Sequence, residues 1–304
     1  MKKKGAEYVW FDGKFVKWNE AQIPITTHAL HYGTSVFEGI RAYYDDNLYV
    51  FRLEEHIERL YRSASIYSMN IKLSKKKLVD ATLELIRKSK IKESCYIRPL
   101  GFVGTHGIDL NVNSKSPVQV IIIVFPFARY FDVKGINVGI SSWRRINDMS
   151  TPPIAKAGGN YLNSILATQE CKRNGYDEAI MLDWLGNVSE APGENIFVIK
   201  NGEIYTPDLA SSILEGITRN SVINIAQDLG YKIIERPVSR SELYVADEIF
   251  LTGTAAEIIG VLSVDKKIVG NGKEGKITKK IREEYSQIVV NKVDKYKNWL
   301  TAVW

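Results

Sequence analysis

Short turn signals limit this fold more than any other feature. Asp12-Gly13 sits between Tyr8–Phe11 and Phe15–Trp18, and Asp45-Asp46-Asn47 sits between Val36–Tyr44 and Leu48–Phe51. Residues of this kind supply the positive φ that tight hairpins need, so each pair is expected to fold back antiparallel. Between and after them run helical patterns. Leu53, Ile57, Leu60, Ala64 and Tyr67 share one face of a helix over Leu53–Tyr67, and Ser74 caps a second helix that runs to about Lys88. Tyr96–Val103 and Val118–Phe125 read as further strands. The order predicts a mixed α+β domain over residues 1–127, not an array of βαβ units.

The stretch from 128 to 134 reads as a connection to a second domain over 135–304. There the pattern predicts a strand at Ile136–Ser142 and a helix from about Asn160 to Arg173 that stops at Asn174-Gly175. A strand-rich block follows: Glu178–Asp183, a Gly186-Asn187 turn, Asn195–Lys200, an Asn201-Gly202 turn and Glu203–Tyr205. A helix over Ile217–Leu229 ends at Gly230, and another, about Ile277 to Lys292, closes the pattern. A hydrophobic share of 45% in 304 residues permits a sizeable core and excludes a mainly disordered chain. The net charge of +6 comes from 41 basic residues interleaved with 35 acidic ones, which reads as a solvated surface and not a nucleic-acid footprint.

Cys95 and Cys171 are too far apart for a redox or zinc motif, so a reducing compartment is expected. Met-Lys-Lys-Lys at the start has no apolar run behind it, and Val120–Phe125 is far too short to cross a bilayer. A cytoplasmic protein is expected.

Lys156 stands apart from the other lysines. Most of those lie in charged clusters, but Lys156 sits in Ile154-Ala-Lys-Ala-Gly-Gly-Asn-Tyr161. Burial there would lower its proton affinity and leave an amine able to attack an aldehyde. A surface-loop lysine is the plainer reading. Ser189-Glu190-Ala-Pro-Gly-Glu194-Asn195 holds two carboxylates, either of a polar turn or of an anion set against a cationic ring nitrogen. Glu215-Gly216-Ile217-Thr218-Arg219 opens a helix, either simply capped or suited to a phosphate. Thr252-Gly253-Thr254-Ala255-Ala256-Glu257 follows a strand and could add hydroxyl and amide donors.

Singly these segments decide little, but their order and spacing closely resemble the motif series of the fold-type IV pyridoxal-phosphate enzymes. The stretch from His28 to Arg41 and Tyr96-Ile-Arg98-Pro-Leu resemble the branched-chain amino acid aminotransferases of that group. The resemblance runs from about Tyr8 to the last helix. It implies a two-domain α+β fold, like that of D-amino acid aminotransferase, with pyridoxal 5′-phosphate in the interdomain cleft. It also implies ping-pong amino transfer between leucine, isoleucine or valine and 2-oxoglutarate. Lys156 would form the Schiff base and shuttle the proton. Glu190 would pair with the ring nitrogen, Tyr161 with the phenolic oxygen. Arg59 would hold the phosphate bidentately, with Ile217, Thr218 and Thr254 completing its cup. Tyr96 and the amides near Thr254 and Ala255 would take the α-carboxylate. Tyr32, Phe37, Gly39 and Tyr130 would wall the side-chain pocket, and Arg98 would meet the glutamate side chain. Phe127 departs from the tryptophan of bacterial members, which leaves the fine substrate preference open. The group is built from dimers, and Gly104–Leu110 would be the loop that reaches the neighbour's site.

The same fold also serves D-amino acid aminotransferases and aminodeoxychorismate lyases; the Phe37–Arg41 and Tyr96–Arg98 signatures favour the branched-chain type. Gly270-Asn-Gly272-Lys-Glu-Gly275 matches a dinucleotide fingerprint but lacks the βαβ unit such a site needs, so it reads as a turn. His28 and His31 have ligand-like spacing with no further cysteine or histidine beside them, and no metal is expected.

Overall fold

The computed structural model describes residues 6–127 and 135–304. By contacts the chain divides into two compact units, one of Met1–Ala128, Ala155–Gly159 and Gln287–Trp304, the other of Arg129–Ile154 and Asn160–Ser286. The expected connection over 128–134 lies outside the described residues.

The first unit is built on an antiparallel sheet. Its strands are β1 (Tyr8–Phe11), β2 (Lys14–Lys17), β3 (Ser35–Phe37), β4 (Ile40–Tyr44), β5 (Leu48–Phe51), β6 (Cys95–Val103) and β7 (Val118–Pro126). Asp12 and Gly13 take positive φ, 45° and 93°, and close the β1–β2 hairpin as the turn signal predicts. The single strand expected over Val36–Tyr44 is instead two, β3 and β4, both paired with β6. The break falls at Glu38-Gly39. There the Glu38 carboxylate turns inward to bond Arg59, and the Tyr96 ring lies where any side chain at Gly39 would be.

The α-helices among the described residues of this unit are α1 (His28–Tyr32), α2 (Leu53–Ile66) and α3 (Lys75–Lys88). Ser74 Oγ accepts from Lys77 N at 3.1 Å and caps α3. The apolar face of α2 buries Leu53, Ile57, Leu60 and Ala64 almost completely, in one core with Leu78, Leu85, Ile97 and Val124. Burying each such leucine or isoleucine stabilises the fold by roughly 1.5–3 kcal/mol before entropy is counted.

The second unit holds a mixed sheet. In chain order its elements are β8 (Gly135–Ile140), α4 (Tyr161–Arg173), β9 (Glu178–Ile180), β10 (Asn187–Val188), β11 (Asn195–Lys200) and β12 (Glu203–Thr206). Then come α5 (Ile217–Asp228), β13 (Ile233–Glu235), β14 (Val238–Ser239), β15 (Glu248–Gly253), β16 (Glu257–Val264), β17 (Lys267–Ile268) and α6 (Lys276–Ile288). The sheet order is β13-β12-β11-β15-β16-β8-β9, with β17 beside β16; β10 and β14 form a separate two-stranded sheet. Strand β8 ends two residues earlier than expected: the Ser141 N–H still donates to the Ile180 carbonyl, but Ser141 Oγ and the Ser142 N–H turn to the Glu170 carboxylate. Strand β9 stops at Ile180. The next residues bond back to Asn187–Glu190 around Gly186, whose φ is 89°. Helix α6 ends at Ile288, short of Lys292, and Asn291 follows with φ 63°. Gly270 and Gly272 take positive φ in a turn before α6. A final strand, β18 (Leu300–Ala302), not delimited from the sequence, pairs antiparallel with β5 in the first unit.

Candidate active site

Lys156 lies in the short segment Ala155–Gly159 that packs with the first unit. Its backbone is pinned on both sides: its N–H donates to Ser63 Oγ at 3.0 Å, and its carbonyl accepts from Phe37 N at 3.0 Å. Ala157 bridges to Val36. A Cβ on Gly158 would fall 2.3 Å from Ser35 Oγ, which is why only small residues can follow the lysine along β3. The ammonium group stands 5.2 Å from the centre of the Phe37 ring.

Arg59 sits one turn beyond His56 on α2, and both reach Glu38. Arg59 Nε and Nη2 donate to the two Glu38 oxygens at 2.7 and 2.8 Å, and His56 Nδ1 lies 2.7 Å from Oε2. None of the three side chains is more than 4% exposed. Burial alone would raise the Glu38 carboxyl, but Arg59 and His56 outweigh it and hold the group well below the usual carboxylate range. Burial also pushes His56 below its ordinary value, against the pull of Glu38. The Nε–Nη2 edge of Arg59 is thus engaged by a carboxylate, so a bidentate phosphate contact of the kind expected would use the Nη1–Nη2 edge. Glu38 and His56 were not visible as partners, since only the folded chain brings a strand break against α2.

Tyr96 and Arg98 point to one face of β6, as their spacing requires. Arg98 Nη2 donates to the Tyr96 hydroxyl at 2.8 Å, and its guanidinium lies 4.5 Å from the centre of the Phe37 ring. Arg98 Nε is buried with no hydrogen-bond partner among the described residues. Tyr96 stacks on Phe125 at 5.3 Å, and Phe127 is 5.5 Å from it. A Cβ on Gly39 would lie 2.0 Å from the Tyr96 oxygen. Phe37, Gly39, Tyr96 and Arg98 are thus gathered as expected. Tyr32, at the end of α1, is 41% exposed and donates to the Ile108 carbonyl in the Gly104–Leu110 loop. The two nitrogens of His28 are occupied by Thr34 Oγ1 and the Asp109 carbonyl. Tyr130 lies outside the described residues.

In the second unit, Glu190 is buried and met by donors on both oxygens. Arg145 Nη2 is 2.8 Å from Oε1. Asn195 Nδ2 and Leu214 N donate to Oε2 at 2.9 and 3.1 Å. Asn195 Nδ2 also donates to the Leu214 carbonyl, so one amide braces Glu190 against the segment that leads into α5. Gly216, the N-cap of α5, has no side chain to cover the helix start; a Cβ there would sit 1.9 Å from Asn195 Oδ1. Ile217 and Thr218 are buried in the first turn of that helix, where peptide N–H groups favour an anion. Tyr161 opens α4 half-buried, and Thr254 and Ala255 form the turn between β15 and β16. Arg145 was missed in the sequence. Its only signal is the Arg144-Arg145 pair in an irregular stretch, and its buried course becomes visible only with Glu190 beside it.

A buried carboxylate paired with a guanidinium suits a ring that must stay protonated. A helix start walled by Asn195 at Gly216 suits a phosphate, and an anchored amine suits an aldehyde. The donor set therefore fits pyridoxal 5′-phosphate. Among the described residues no cluster of three His, Cys, Asp or Glu side chains could hold a metal ion.

These parts define an enzyme that handles amino groups through an aldehyde cofactor. The chain belongs to the amino-transferase class IV family, whose profile it matches over residues 35–264. It is 45% identical to the probable branched-chain-amino-acid aminotransferase of Aquifex aeolicus over 309 aligned positions, which span 100% of this chain and 99% of that one. The crystal structure of the branched-chain aminotransferase of the thermophilic archaeon Thermoproteus uzoniensis with norvaline is similar at a TM-score of 0.95 and 45% identity, covering 99% of this chain and 100% of the other. That of the T.th. branched-chain amino acid aminotransferase complexed with N-(5′-phosphopyridoxyl)-L-glutamate is similar at a TM-score of 0.95 and 42% identity, over 98% and 99% of the two chains.

Proposed function

We infer that the protein is a branched-chain-amino-acid aminotransferase dependent on pyridoxal 5′-phosphate. It moves the amino group reversibly, in ping-pong order, between leucine, isoleucine or valine and 2-oxoglutarate, giving the branched-chain 2-oxo acids and glutamate. The observation that carries this is the relation of the whole chain, at 45% identity, to aminotransferases of that specificity. When bound, the cofactor supplies an aldehyde that exchanges for the amino group and a ring that withdraws electrons from the substrate carbon.

The residues divide the work. Lys156 attaches the cofactor by its amine, then takes and returns the proton at the substrate's α-carbon. Glu190 holds a proton on the ring nitrogen, and Tyr161 donates to the phenolic oxygen. Arg59, Ile217, Thr218 and Thr254 hold the phosphate. Tyr96 and the backbone near Ala255 orient the α-carboxylate. Phe37, Gly39, Tyr32 and Tyr130 exclude water from an apolar side chain, and Arg98 meets the carboxylate of glutamate.

The working form is a homodimer or a larger homo-oligomer. Ile108 and Leu110 support this, being 83% and 76% exposed on the Gly104–Leu110 loop, where apolar side chains call for cover. A cytoplasmic location is supported by two buried thiols, Cys95 and Cys171, both free. Among the described residues no helix is long and apolar enough to cross a membrane.

The test is to supply purified holoenzyme with leucine and 2-oxoglutarate and to measure glutamate. Glutamate formation is expected. Turnover of D-alanine instead, or pyruvate released from aminodeoxychorismate, would replace this reading with one of the other activities of the fold.

A further inference from the structure

Glu190 is held in an unusual way for a buried carboxylate. Its partners Arg145, Asn195 and the Leu214 peptide N–H meet it as donors, and between them they occupy both oxygens. A guanidinium, a carboxamide NH2 and a peptide N–H cannot accept a hydrogen bond. A proton placed on either oxygen would point at one of these donors or break its bond. Arg145 differs from the other two in carrying a full charge that it cannot lose.

Arg145 and Glu190 are 7% and 5% exposed. A buried ion pair of this kind is weak support for stability, because desolvation of the two charges offsets their attraction. Arg145 Nε is moreover buried with no hydrogen-bond partner among the described residues, a further cost to the fold. The rest of its contacts fix its position: Nη1 donates to Ser164 Oγ at 3.3 Å, and its peptide N–H donates to the Leu182 carbonyl. Stability therefore gives no account of an arginine at this place, and its charge acts first on Glu190.

We propose that Arg145 is a positioning residue that decides where the proton shared by Glu190 and the cofactor's ring nitrogen resides. The inference rests on the reading of Glu190 as the ring-nitrogen partner. Two arrangements contain the same atoms: a protonated nitrogen facing a carboxylate, or a neutral nitrogen facing a carboxylic acid. The guanidinium touches Glu190, so it lowers the proton affinity of the carboxylate more than that of the ring. The proton then stays on the ring, which keeps its power to withdraw electrons. Without Arg145, burial disfavours the separated charges of carboxylate and pyridinium, and the proton moves toward Glu190 to give the uncharged pair.

The experiment reads the proton directly. Wild-type protein, Arg145→Met, Arg145→Lys and Glu190→Gln are each loaded with pyridoxal phosphate labelled with nitrogen-15 in the ring, and the ring signal is recorded by NMR. Wild type and Arg145→Lys should show the pyridinium signal; Arg145→Met should move toward the neutral pyridine position. Both half-reactions of Arg145→Met should slow together, with little change in substrate KM. If Arg145→Met does not fold, Arg145→Gln takes its place with the same expected shift. A pyridinium signal retained in the uncharged variant but lost in Glu190→Gln overturns the role of Arg145. A pyridinium signal retained in Glu190→Gln overturns the reading of Glu190 itself.

Discussion

Arg98 lies over Phe37, its guanidinium carbon 4.5 Å from the ring centre. A cation stored on an aromatic face presents a largely apolar surface to a leucine side chain, yet stays within reach of a carboxylate. That is the property a pocket needs if it must accept leucine and then glutamate, since a buried carboxylate without a partner costs several kcal/mol. Arg98→Met should therefore weaken the glutamate half-reaction by roughly 2–4 kcal/mol in transition-state binding while leaving the leucine half-reaction nearly intact. Single-turnover rates with each amino acid measure this. Equal losses for both would mean that Arg98 does not read the side-chain carboxylate.

Lys156→Ala should abolish amino transfer and change stability by no more than about 1 kcal/mol, because the contacts that seat this segment are made by its backbone. Borohydride should no longer fix the cofactor to the protein. Leucine turnover near the wild-type rate in this variant would remove Lys156 from the mechanism.

Glu38→Leu should destabilise the first unit by about 3–5 kcal/mol, because it leaves Arg59 and His56 buried against an apolar side chain. The acid response follows from the sign of the shift. The folded carboxyl titrates below the unfolded one, so its contribution is complete above the unfolded carboxylate range, near pH 4.3, and declines as pH falls through it. His56 is lowered by burial against the pull of Glu38, so wild type and variant both lose stability as pH drops below about 6.5, and the Glu38 contribution is read from the further change through the carboxylate range. Urea unfolding of wild type and variant between neutral and acid pH should show the difference shrinking toward acid. A constant difference would place the role of Glu38 outside this ion pair.

Gly216→Ala puts a methyl group where Asn195 Oδ1 now lies, 1.9 Å from the new carbon. Asn195 must swing away and release both Glu190 and the Leu214 carbonyl, at a cost of about 1–3 kcal/mol. Cofactor titrated into stripped protein should bind more weakly than to wild type. Unchanged affinity would show that the brace between Glu190 and α5 is dispensable.

Hairpins closed by Asp12-Gly13 and Asn201-Gly202, and the Ser74 cap, could be read from sequence because a few neighbouring residues determine them. Lys156 could be read because its small neighbours are imposed by close passage along β3, and that leaves a compositional trace. The break at Glu38-Gly39 could not, because its cause lies on α2 and β6, far along the chain. Arg145 escaped for a similar reason: a buried arginine and a surface arginine look alike until the carboxylate beside it is known. Strand β18 is three residues long and has too little periodicity to register.

That last strand bears on how the molecule is made. Leu300 pairs with Phe51, the Val303 N–H donates to the Leu48 carbonyl, and Arg87 Nε donates to the Val303 carbonyl. The segment carrying Lys156 also belongs to the first unit. During synthesis the β5 edge is therefore left open, and the helices around it incompletely closed, until almost the whole described chain has emerged. An open strand edge recruits other strands. The nascent first unit is thus a natural client for chaperones, and the second unit, contained within residues 129–286, can be finished before the first.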